Sequence, residues 1–315
     1  LGVEDWLRGL RSIMLSSLNY NRLPIPVERG VCSEWARGMG IPESGDAVIY
    51  TSCLYQLVPY INSFTGLMEK APPSALGPLV NRLSHLVASF ARVTLKPPRS
   101  EVDRVNGIVR AIATLLIRNG VKFAYMPDEP YSGALLYELG FEDDFKEYFS
   151  SVVLSYFRSR GIKNVITIDP HTHHILTVVA PRFFGDLGLR VVNYMELIKG
   201  VDKARVSRVV IHDSCLYSRY LGMRNAYRVL LEKAGVEHVE DPYVTGVSTS
   251  MCCGGPVESI NPSLSNKVAR LRIDTLSKLS NNVVVACPIC YANLSRNSGG
   301  RVKVLDLAEV LTGAQ

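Results

Sequence analysis

The sequence lacks the features of a membrane-spanning, fibrous or disordered chain. No apolar run approaches the ~20 residues that a helix needs to cross a bilayer. The N-terminal segment LGVEDWLRGL has mixed charge and no apolar core, which is not expected of a signal peptide. Apolar residues make up 47% and charged residues 20% of the 315 residues, near the averages for globular proteins. The composition therefore excludes a collagen, a coiled coil and a disordered chain, and the length favours two domains.

A large excess of positive charge is also missing. The net charge is +6, and the Lys and Arg residues are scattered along the chain. Nucleic acid is therefore not the expected partner. Together with the missing signal peptide and the missing transmembrane segment, this pattern predicts a cytoplasmic protein, for which peripheral membrane association would come through a partner.

Cysteine is the residue type that carries information. Five of the seven cysteines fall within the last 101 residues. Without a signal peptide, such a group indicates a metal or redox role rather than a set of disulfides. The seven residues are Cys32, Cys53, Cys215, Cys252, Cys253, Cys287 and Cys290.

Three sequence segments recur in the same order, which predicts an internal repeat. Apolar, β-branched runs that end at small polar residues are typical of buried strands. We therefore divide the chain into an N-terminal extension (1–45), a first half (46–200) and a second half (201–315). The matching pairs are DAVIYTSC (46–53) with SRVVIHDSC (207–215), VITIDPHT (165–172) with VVVACPIC (283–290), and RVVNYMELI (190–198) with KVLDLAEVL (303–311).

Helical periodicity separates these strands. Strands that alternate with helices predict an α/β fold with largely parallel sheets, here two Rossmann-like halves related by a pseudo-twofold axis. In the first half, 77 residues separate Cys53 from Tyr131, the counterpart of the cysteine pair. In the second half, only 36 residues separate Cys215 from Cys252. The difference predicts a helical insert with proline-rich ends (Pro72, Pro73, Pro78, Pro97 and Pro98). The predicted helices are 100–116, with Ser100 and Asp103 as a capping box and Gly120 as C-terminal cap, then 141–160, 221–234, and 262–279 with Leu264, Val268, Leu271 and Leu276 as its apolar positions.

The second-half cysteines follow predicted strands. Cys215 and the pair Cys287/Cys290 each lie where a strand ends, and the carboxyl ends of parallel strands meet at one edge of a sheet. Gly254 and Gly255 follow Cys252-Cys253 and allow the backbone to approach a bulky group. Pro288 begins a helix whose N-terminus would stabilise thiolates. These cysteines are therefore expected to converge.

Two kinds of metal site fit this pattern. One zinc ion takes four thiolates in a tetrahedron, whereas five cysteines are present and two of them are adjacent. Adjacent thiolates reach two neighbouring irons more easily than one ion, so the chemistry favours an iron–sulfur cluster. A Cys252–Cys253 disulfide, or inert buried cysteines, are the remaining alternatives.

The pattern Cys215 … Cys252-Cys253-Gly254-Gly255 … Cys287-Pro288-x-Cys290 resembles the cysteine-rich CCG domain. The flanking segments HDSCL (212–216), KVARLRIDTL (267–276) and VLDLAEVL (304–311) are also similar to it. The domain occurs, usually in two copies, in heterodisulfide reductase and in the iron–sulfur subunits of anaerobic glycerol-3-phosphate dehydrogenase, glycolate oxidase and lactate-utilisation systems. The resemblance implies one noncubane 4Fe–4S cluster held by Cys215, Cys252, Cys253, Cys287 and Cys290, with zinc as the alternative.

The first half departs from the family pattern. Cys53 remains, but Tyr131-Ser132-Gly133 and Asp169-Pro170-His171-Thr172 replace the other two cysteine elements. We interpret this half as a copy that has lost its cluster. A second metal site from Cys53, Asp169 and His171, with His173 or His174, is the alternative, since zinc accepts such ligands. His173 and Cys32 are otherwise expected to be packing or surface residues.

Three functions are compatible with this sequence. The first is an electron-transfer subunit that works with a flavoprotein dehydrogenase, a ferredoxin-like subunit or a quinone-linked subunit, because the chain lacks the closely spaced cysteines of a ferredoxin module. The second is a catalytic thiol/disulfide reductase subunit that acts at the cluster. The third is a structural zinc module. His212 is a candidate proton donor; otherwise His212, Asp213 and Arg219 would provide hydrogen bonds or surface charge around Cys215.

Overall fold

The computed structural model describes residues 3–70 and 96–313. Within these ranges the strands are β1 (Ala47–Tyr50), β2 (Asn164–Thr167), β3 (Arg190–Asn193), β4 (Arg208–Ile211), β5 (Glu237–Val239), β6 (Asn282–Val285) and β7 (Lys303–Asp306). The α-helices are α1 (Val3–Asn21), α2 (Leu54–Lys70), α3 (Arg99–Arg118), α4 (Ala134–Glu138), α5 (Glu142–Tyr148), α6 (Ser155–Ser159), α7 (Pro170–His174), α8 (Ala180–Phe184), α9 (Tyr194–Leu197), α10 (Arg224–Lys233), α11 (Pro262–Ser277), α12 (Pro288–Asn297) and α13 (Leu307–Thr312).

The strands form two parallel sheets, which confirms the predicted α/β class. One sheet has the order β1-β2-β3 and the other the order β5-β4-β6-β7. The strands matched in the sequence repeat lie in the same order in both sheets, β1-β2-β3 and β4-β6-β7. The repeat, its pseudo-twofold axis and the boundaries at residues 46 and 201 stay predictions.

Strands β3 and β7 each lead into a helix, α9 or α13, that begins with a capping box. The Asn193 side chain accepts the N–H of Met195, and Glu196 accepts the N–H of Asn193. Asp306 and Glu309 make the corresponding capping box at the start of α13. Each box satisfies amide donors that the first helical turn leaves without a partner.

The predicted helices are present, with three corrections. Helix α3 begins at Arg99 after Pro98, and Ser100 is not its cap, although Gly120 ends it with φ +73° as expected. The 141–160 segment is helical but includes a π-helical stretch (Phe149–Leu154). Likewise, the 221–234 segment begins as a helix only at Arg224, because a π-helical turn (Leu216–Tyr220) precedes it.

Helix α11 presents a different face to the core than its apolar pattern predicts. Leu264 and Leu271 are 47% and 55% exposed, while Ser265 and Arg272 are buried. The polar pair is buried because both side chains have partners inside: Ser265 bonds to the Gly254 carbonyl, and Arg272 bonds to groups beside the cysteines. Hydrogen bonding therefore determines the rotation of this helix.

The predicted helical insert lies only partly within the described residues. Helices α2 and α3 pack against each other on either side of the insert. Pro72, Pro73 and Pro78 lie outside the described residues, whereas Pro97 and Pro98 directly precede α3.

One apolar core connects the two sheets. It includes Trp35 from the N-terminal extension, Ile49 and Tyr55 from the first half, and Val210 and Val284 from the second. The Tyr55 hydroxyl crosses between the halves and donates to Asp306 Oδ2 at 2.8 Å. No helix in the described ranges is long and apolar enough to span a bilayer.

Candidate metal centre

Cys215 is positioned by the end of β4. The buried strand stops at Ile211, and three buried residues carry the chain to Cys215, which begins the π-helical turn Leu216–Tyr220. Cys215 itself is half-buried. Its thiol therefore lies at the carboxyl edge of the sheet, where parallel sheets place their sites.

The Cys252-Cys253 pair lies on a turn that only glycine fits. Gly254 has φ +86°, and a Cβ there would come within 2.8 Å of the Ser265 carbonyl oxygen. A Cβ on Gly255 would lie 2.4 Å from Ile289 Cγ2. The glycine amides donate back to the thiols, Gly254 N to Cys252 Sγ at 3.3 Å and Gly255 N to Cys253 Sγ at 3.4 Å. The turn thus holds both sulfurs with backbone N–H groups.

Cys287 and Cys290 lie at the N-terminus of α12. Cys287 is the N-cap residue, Pro288 occupies the first turn, and both thiols are buried. Asn293 of the same helix donates to the Cys253 carbonyl at 2.7 Å. Helix α12 therefore carries two thiols and also fixes the turn that carries two others.

The structure brings all five predicted thiols together. Each of the five thiols lies close enough to another to shift its pKa, in the order Cys215, Cys252, Cys253, Cys290 and Cys287. The last three are buried and the first two are half-buried. One edge of the group thus faces solvent while the remainder is enclosed.

Two of the thiols favour the thiolate form. Hydrogen bonds from Cys215 and Cys253 hold the pKa of Cys252 well below its usual range. Burial opposes ionisation of Cys287, but the Cys290 thiol and the His171 imidazole outweigh it and lower the pKa of Cys287. Because a thiolate is the metal-binding form, Cys252 and Cys287 are the thiols best prepared to bind a metal, whereas neighbouring thiols raise the pKa values of the other three.

His171 lies at this centre instead of in a separate site. Its Nε2 is 3.4 Å from Cys287 Sγ, and its Nδ1 is 2.6 Å from Glu138 Oε1. Burial lowers the pKa of His171, but the Glu138 carboxylate and the Cys287 sulfur raise it well above its ordinary value overall. The first half therefore contributes a positively charged imidazole to the cysteines of the second half.

The second metal site suggested for the first half needs correction. Cys53 forms a disulfide with Cys32, so its sulfur is not a free thiolate. Asp169 caps α7 by accepting the Thr172 N–H at 2.9 Å, and both nitrogens of His171 are already in contact with other groups. The three residues thus offer no common set of free donors.

The disulfide also corrects the expectation that Cys32 is an ordinary packing residue. Both sulfurs are buried in a small apolar cluster with Leu23, Val27 and Leu57. Nothing in the sequence indicated this pair, because a reducing compartment was expected and because the two cysteines are 21 residues apart and meet only in the fold. His173, in contrast, is the packing residue that was expected: it is buried, with Nδ1 2.7 Å from Thr167 Oγ1.

Asp213 and Arg219 hold the loop that leads to the cysteine pair. Asp213 accepts two hydrogen bonds from Arg228, at 2.7 and 2.8 Å, and one from the Gly246 amide at 2.8 Å. Burial raises the pKa of Asp213, but the Arg228 bonds outweigh this and keep it below its ordinary value. Arg219 donates to the Val247 carbonyl at 2.7 Å. Both residues therefore position the loop.

Arg272 is a site residue that the sequence analysis missed. It is 1% exposed, and its Nε donates to His212 Nδ1 at 3.1 Å. A ring nitrogen of His212 lies within 4.8 Å of the sulfurs of Cys253 and Cys290, the closest grouping of potential metal ligands in the described ranges. The signal was present in the sequence, because Arg272 belongs to the KVARLRIDTL segment.

An apolar cavity borders the enclosed side of the cysteines. It has a volume of about 110 Å³, and α1 and α2 supply much of its aliphatic wall. His171, Gly255 and Ile289 form the end nearest the thiols. An apolar shell of this kind lowers the local dielectric and limits solvent access, which are two of the factors that tune a metal centre.

The donor set fits an iron–sulfur cluster. Five thiols are in contact, and the glycine turn leaves room where side chains would intrude. Two buried nitrogens beside the thiols, His212 Nε2 and Arg272 Nη2, have no hydrogen-bond partner within the described structure. Such donors suit a group that carries sulfur acceptors of its own.

Comparison with known proteins also indicates an iron–sulfur protein. The family model of the cysteine-rich domain CCG matches residues 209–295. The chain is 28% identical over 226 residues to the probable iron–sulfur-binding oxidoreductase FadF of Bacillus subtilis, an alignment of 66% of this chain and 32% of the relative. It is 26% identical over 233 residues to the EtfAB:quinone oxidoreductase of Syntrophomonas wolfei, with 66% and 32% covered.

A third relative is the probable membrane-anchored ferredoxin of Chromohalobacter salexigens, 27% identical over 229 residues, with 65% of this chain and 33% of the relative covered. The chain thus spans about a third of the length of these curated relatives. The resemblance found in the sequence is confirmed: residues 209–295 match the cysteine-rich domain CCG, and the chain is similar to iron–sulfur oxidoreductases.

Proposed function

We propose that this chain is a redox subunit that holds one 4Fe–4S cluster, of the noncubane kind, and passes electrons within an oxidoreductase complex. The observation that carries the proposal is the continuous group of five thiols with unpartnered N–H donors beside it. The cluster ligands would be Cys215, Cys252, Cys253, Cys287 and Cys290. When bound, the cluster would supply a centre that accepts and donates single electrons.

The protein's own residues set the environment of this centre. Cys252 and Cys287, whose pKa values are lowered, are the first thiolates available to a metal. His171 places positive charge beside Cys287, which offsets the negative charge of several thiolates. The apolar cavity keeps water from the enclosed side.

Electrons would enter or leave at the half-exposed edge. Cys215 and Cys252 are the two thiols at this edge. Tyr220 (64% exposed) follows Arg219, whose side chain hydrogen-bonds to the backbone carbonyl of Val247 (47% exposed). Exposed apolar side chains beside a redox centre are suited to a protein partner.

We propose a flavoprotein or a quinone-linked protein as that partner. The support is the name of one relative, an EtfAB:quinone oxidoreductase. The cytoplasm, or the cytoplasmic face of a membrane reached through the partner, is the proposed location; one relative is named as membrane-anchored. Zinc on the same thiols is the weaker alternative, because a closed zinc site uses four ligands and five thiols are in contact here.

The test is metal analysis of protein purified without oxygen. We expect close to four irons and four acid-labile sulfides per chain, a brown colour and an electron paramagnetic resonance signal on reduction. C253S should lose most of the iron. The matched control is the double variant C32S/C53S, which removes two sulfurs outside the proposed ligand set and should keep its iron, although loss of the disulfide lowers stability by about 3 kcal/mol.

Two results would contradict the proposal. One zinc per chain without acid-labile sulfide would replace the cluster with a structural zinc site. Equal loss of iron in C253S and in C32S/C53S would show that the thiols of the second half are not the specific ligands.

A further inference from the structure

His212 is a buried imidazole with one nitrogen engaged and one free. It is 1% exposed and lies between the end of β4 and Cys215. Its Nδ1 receives the Nε–H of Arg272 at 3.1 Å. Its Nε2 has no hydrogen-bond partner among the described residues, although leaving a buried polar atom without a partner is energetically costly.

The Arg272 contact decides where the imidazole carries its proton. A guanidinium has five N–H donors and no acceptor, so His212 Nδ1 must offer its lone pair. A neutral imidazole with an acceptor at Nδ1 carries its proton at Nε2. The imidazolium form is excluded by the same contact, since its Nδ1–H would face the N–H of Arg272. His212 Nε2 is therefore an N–H donor.

Two cysteine sulfurs lie near the imidazole ring of His212. A ring nitrogen of His212 lies within 4.8 Å of the sulfurs of Cys253 and Cys290. Arg272 is fixed independently, because its Nη1 donates to the Val244 carbonyl at 2.8 Å. Burial, and then the charge of Arg272, lower the pKa of His212 to about 3, which agrees with a neutral ring.

We propose that Arg272 locks His212 in the Nε2–H form and that this N–H donates a hydrogen bond to sulfur of the bound cluster, raising its reduction potential. Arg272 is a positioning residue, and His212 acts as a donor instead of a metal ligand or a proton source. The inference rests on the proposed function, since it needs a cluster. Hydrogen bonds to cluster sulfurs favour the reduced, more negative state and are a known control of potential.

The experiment compares midpoint potentials of anaerobically purified, cluster-containing protein. H212Q keeps an amide N–H donor and an oxygen that can accept from Arg272, so its potential should remain near that of the parent. H212L removes the donor. We expect its equilibrium constant for reduction to fall about tenfold, equivalent to ~59 mV for a one-electron couple. Iron content, measured on the same samples, separates a shift in potential from loss of the cluster.

A second measurement detects the hydrogen bond directly in the parent protein. Pulsed electron paramagnetic resonance of the parent protein with ¹⁵N-histidine, in H₂O and D₂O, should show weak nitrogen coupling and an exchangeable proton. Both signals should weaken in H212Q, and the part that remains should come from His171, whose Nε2 is 3.4 Å from Cys287 Sγ. Strong nitrogen coupling would make His212 a metal ligand and overturn the inference.

Failure of the hydrogen-bond inference can be distinguished from failure of the proposed function. A fully loaded H212L with the parental potential overturns the hydrogen-bond inference and leaves the proposed function standing. A parent protein without iron or sulfide overturns the proposed function, and the inference with it.

Discussion

Glu129 is a carboxyl group buried far from solvent, with 2% exposure. Both of its oxygens accept the Thr51 N–H, at 3.0 and 3.1 Å, and the Thr51 hydroxyl also bonds to it. Arg29 donates to the backbone carbonyl of Glu129, not to the carboxyl. Burial raises the pKa of Glu129 to about 8, against an ordinary value of 4.5, even though the Thr51 bonds partly offset it.

A pH dependence of stability follows from this group. Between pH 4.5 and about 8 the folded protein keeps a proton that the unfolded chain releases. The contribution of Glu129 to stability is therefore full below pH 4.5, declines as pH rises through this window and levels off above about 8. We expect the free energy of unfolding of the parent, relative to E129Q, to fall between pH 5 and pH 8 in denaturant titrations.

The comparison with E129Q isolates Glu129. Other buried carboxyls, such as Asp306 with a pKa of about 7, titrate in both proteins and cancel in the difference. A difference that stays constant from pH 5 to 8 would mean that Glu129 ionises near its ordinary pKa in the folded protein.

At the residue scale, the sequence indicated the thiols and the polar residues next to Cys215, but not the contacts made by residues distant in the chain. The five cysteines follow strand ends and a glycine pair, which are local signals. The contacts of His171 with Cys287 and of Arg272 with His212 join residues 116 and 60 positions apart. Only the packing of the two halves and the rotation of α11 bring these side chains together, and neither can be deduced from spacing.

At the scale of elements, the turn after the cysteine pair is the most constrained segment. Gly254 combines a positive φ with a backbone oxygen 2.8 Å from the position of a Cβ. Gly222 also has a positive φ, +65°, but no described atom lies within 4 Å of its Cβ position. Substitutions at the two glycines therefore separate the free-energy cost of a left-handed backbone from the cost of a steric clash.

We expect G254A to be much more damaging than G222A. G222A carries only the left-handed backbone penalty, roughly 1–2 kcal/mol. G254A carries that penalty and must also displace the Ser265 carbonyl and the turn that holds Cys252 and Cys253. Thermal melting together with iron content should show a larger loss of both in G254A. Equal melting temperatures and equal iron in the two variants would contradict the steric argument.

Secondary structure was predictable where the local sequence pattern alone determines whether a segment forms a strand or a helix. The strands at 47–50, 208–211 and 282–285 match continuous β-branched runs, and α3 matches its apolar stripe. The buried face of α11 was predicted only in part: Leu276 is buried as expected, but Leu264 and Leu271 are exposed because Ser265 and Arg272 have hydrogen-bond partners inside. Local pattern identifies a helix more reliably than it identifies the buried face.

At the scale of the whole molecule, the halves depend on each other. Tyr55 bonds to Asp306, and Arg104 bonds to Glu309 at 2.9 Å. The Trp6 indole N–H donates to the Ser259 carbonyl at 2.7 Å, just after the cysteine-pair turn. The apolar core is also shared between the sheets. The boundary at residue 201, which stays a prediction, therefore does not separate two independent folding units.

We expect residues 201–315, expressed alone, to be unstable and to bind little iron, because the fragment exposes its share of the common core and lacks His171. Co-expression with residues 1–200 should restore iron binding by reassembly of the interface. Circular dichroism and iron content of both preparations are the measurements. A fragment that melts cooperatively and binds the full amount of iron would show that the second half is autonomous.

The Trp6–Ser259 and His171–Cys287 contacts also govern when the centre can be completed during synthesis. Cys215 and Cys290 are 75 residues apart in the chain. At about 5–20 residues per second, a ribosome needs roughly 4–15 s to cover that distance. Throughout this interval, helix α1 and His171 have already been synthesised, but the set of five thiols is incomplete. The proposed cluster therefore cannot be held by all five thiols until Cys290 has been synthesised.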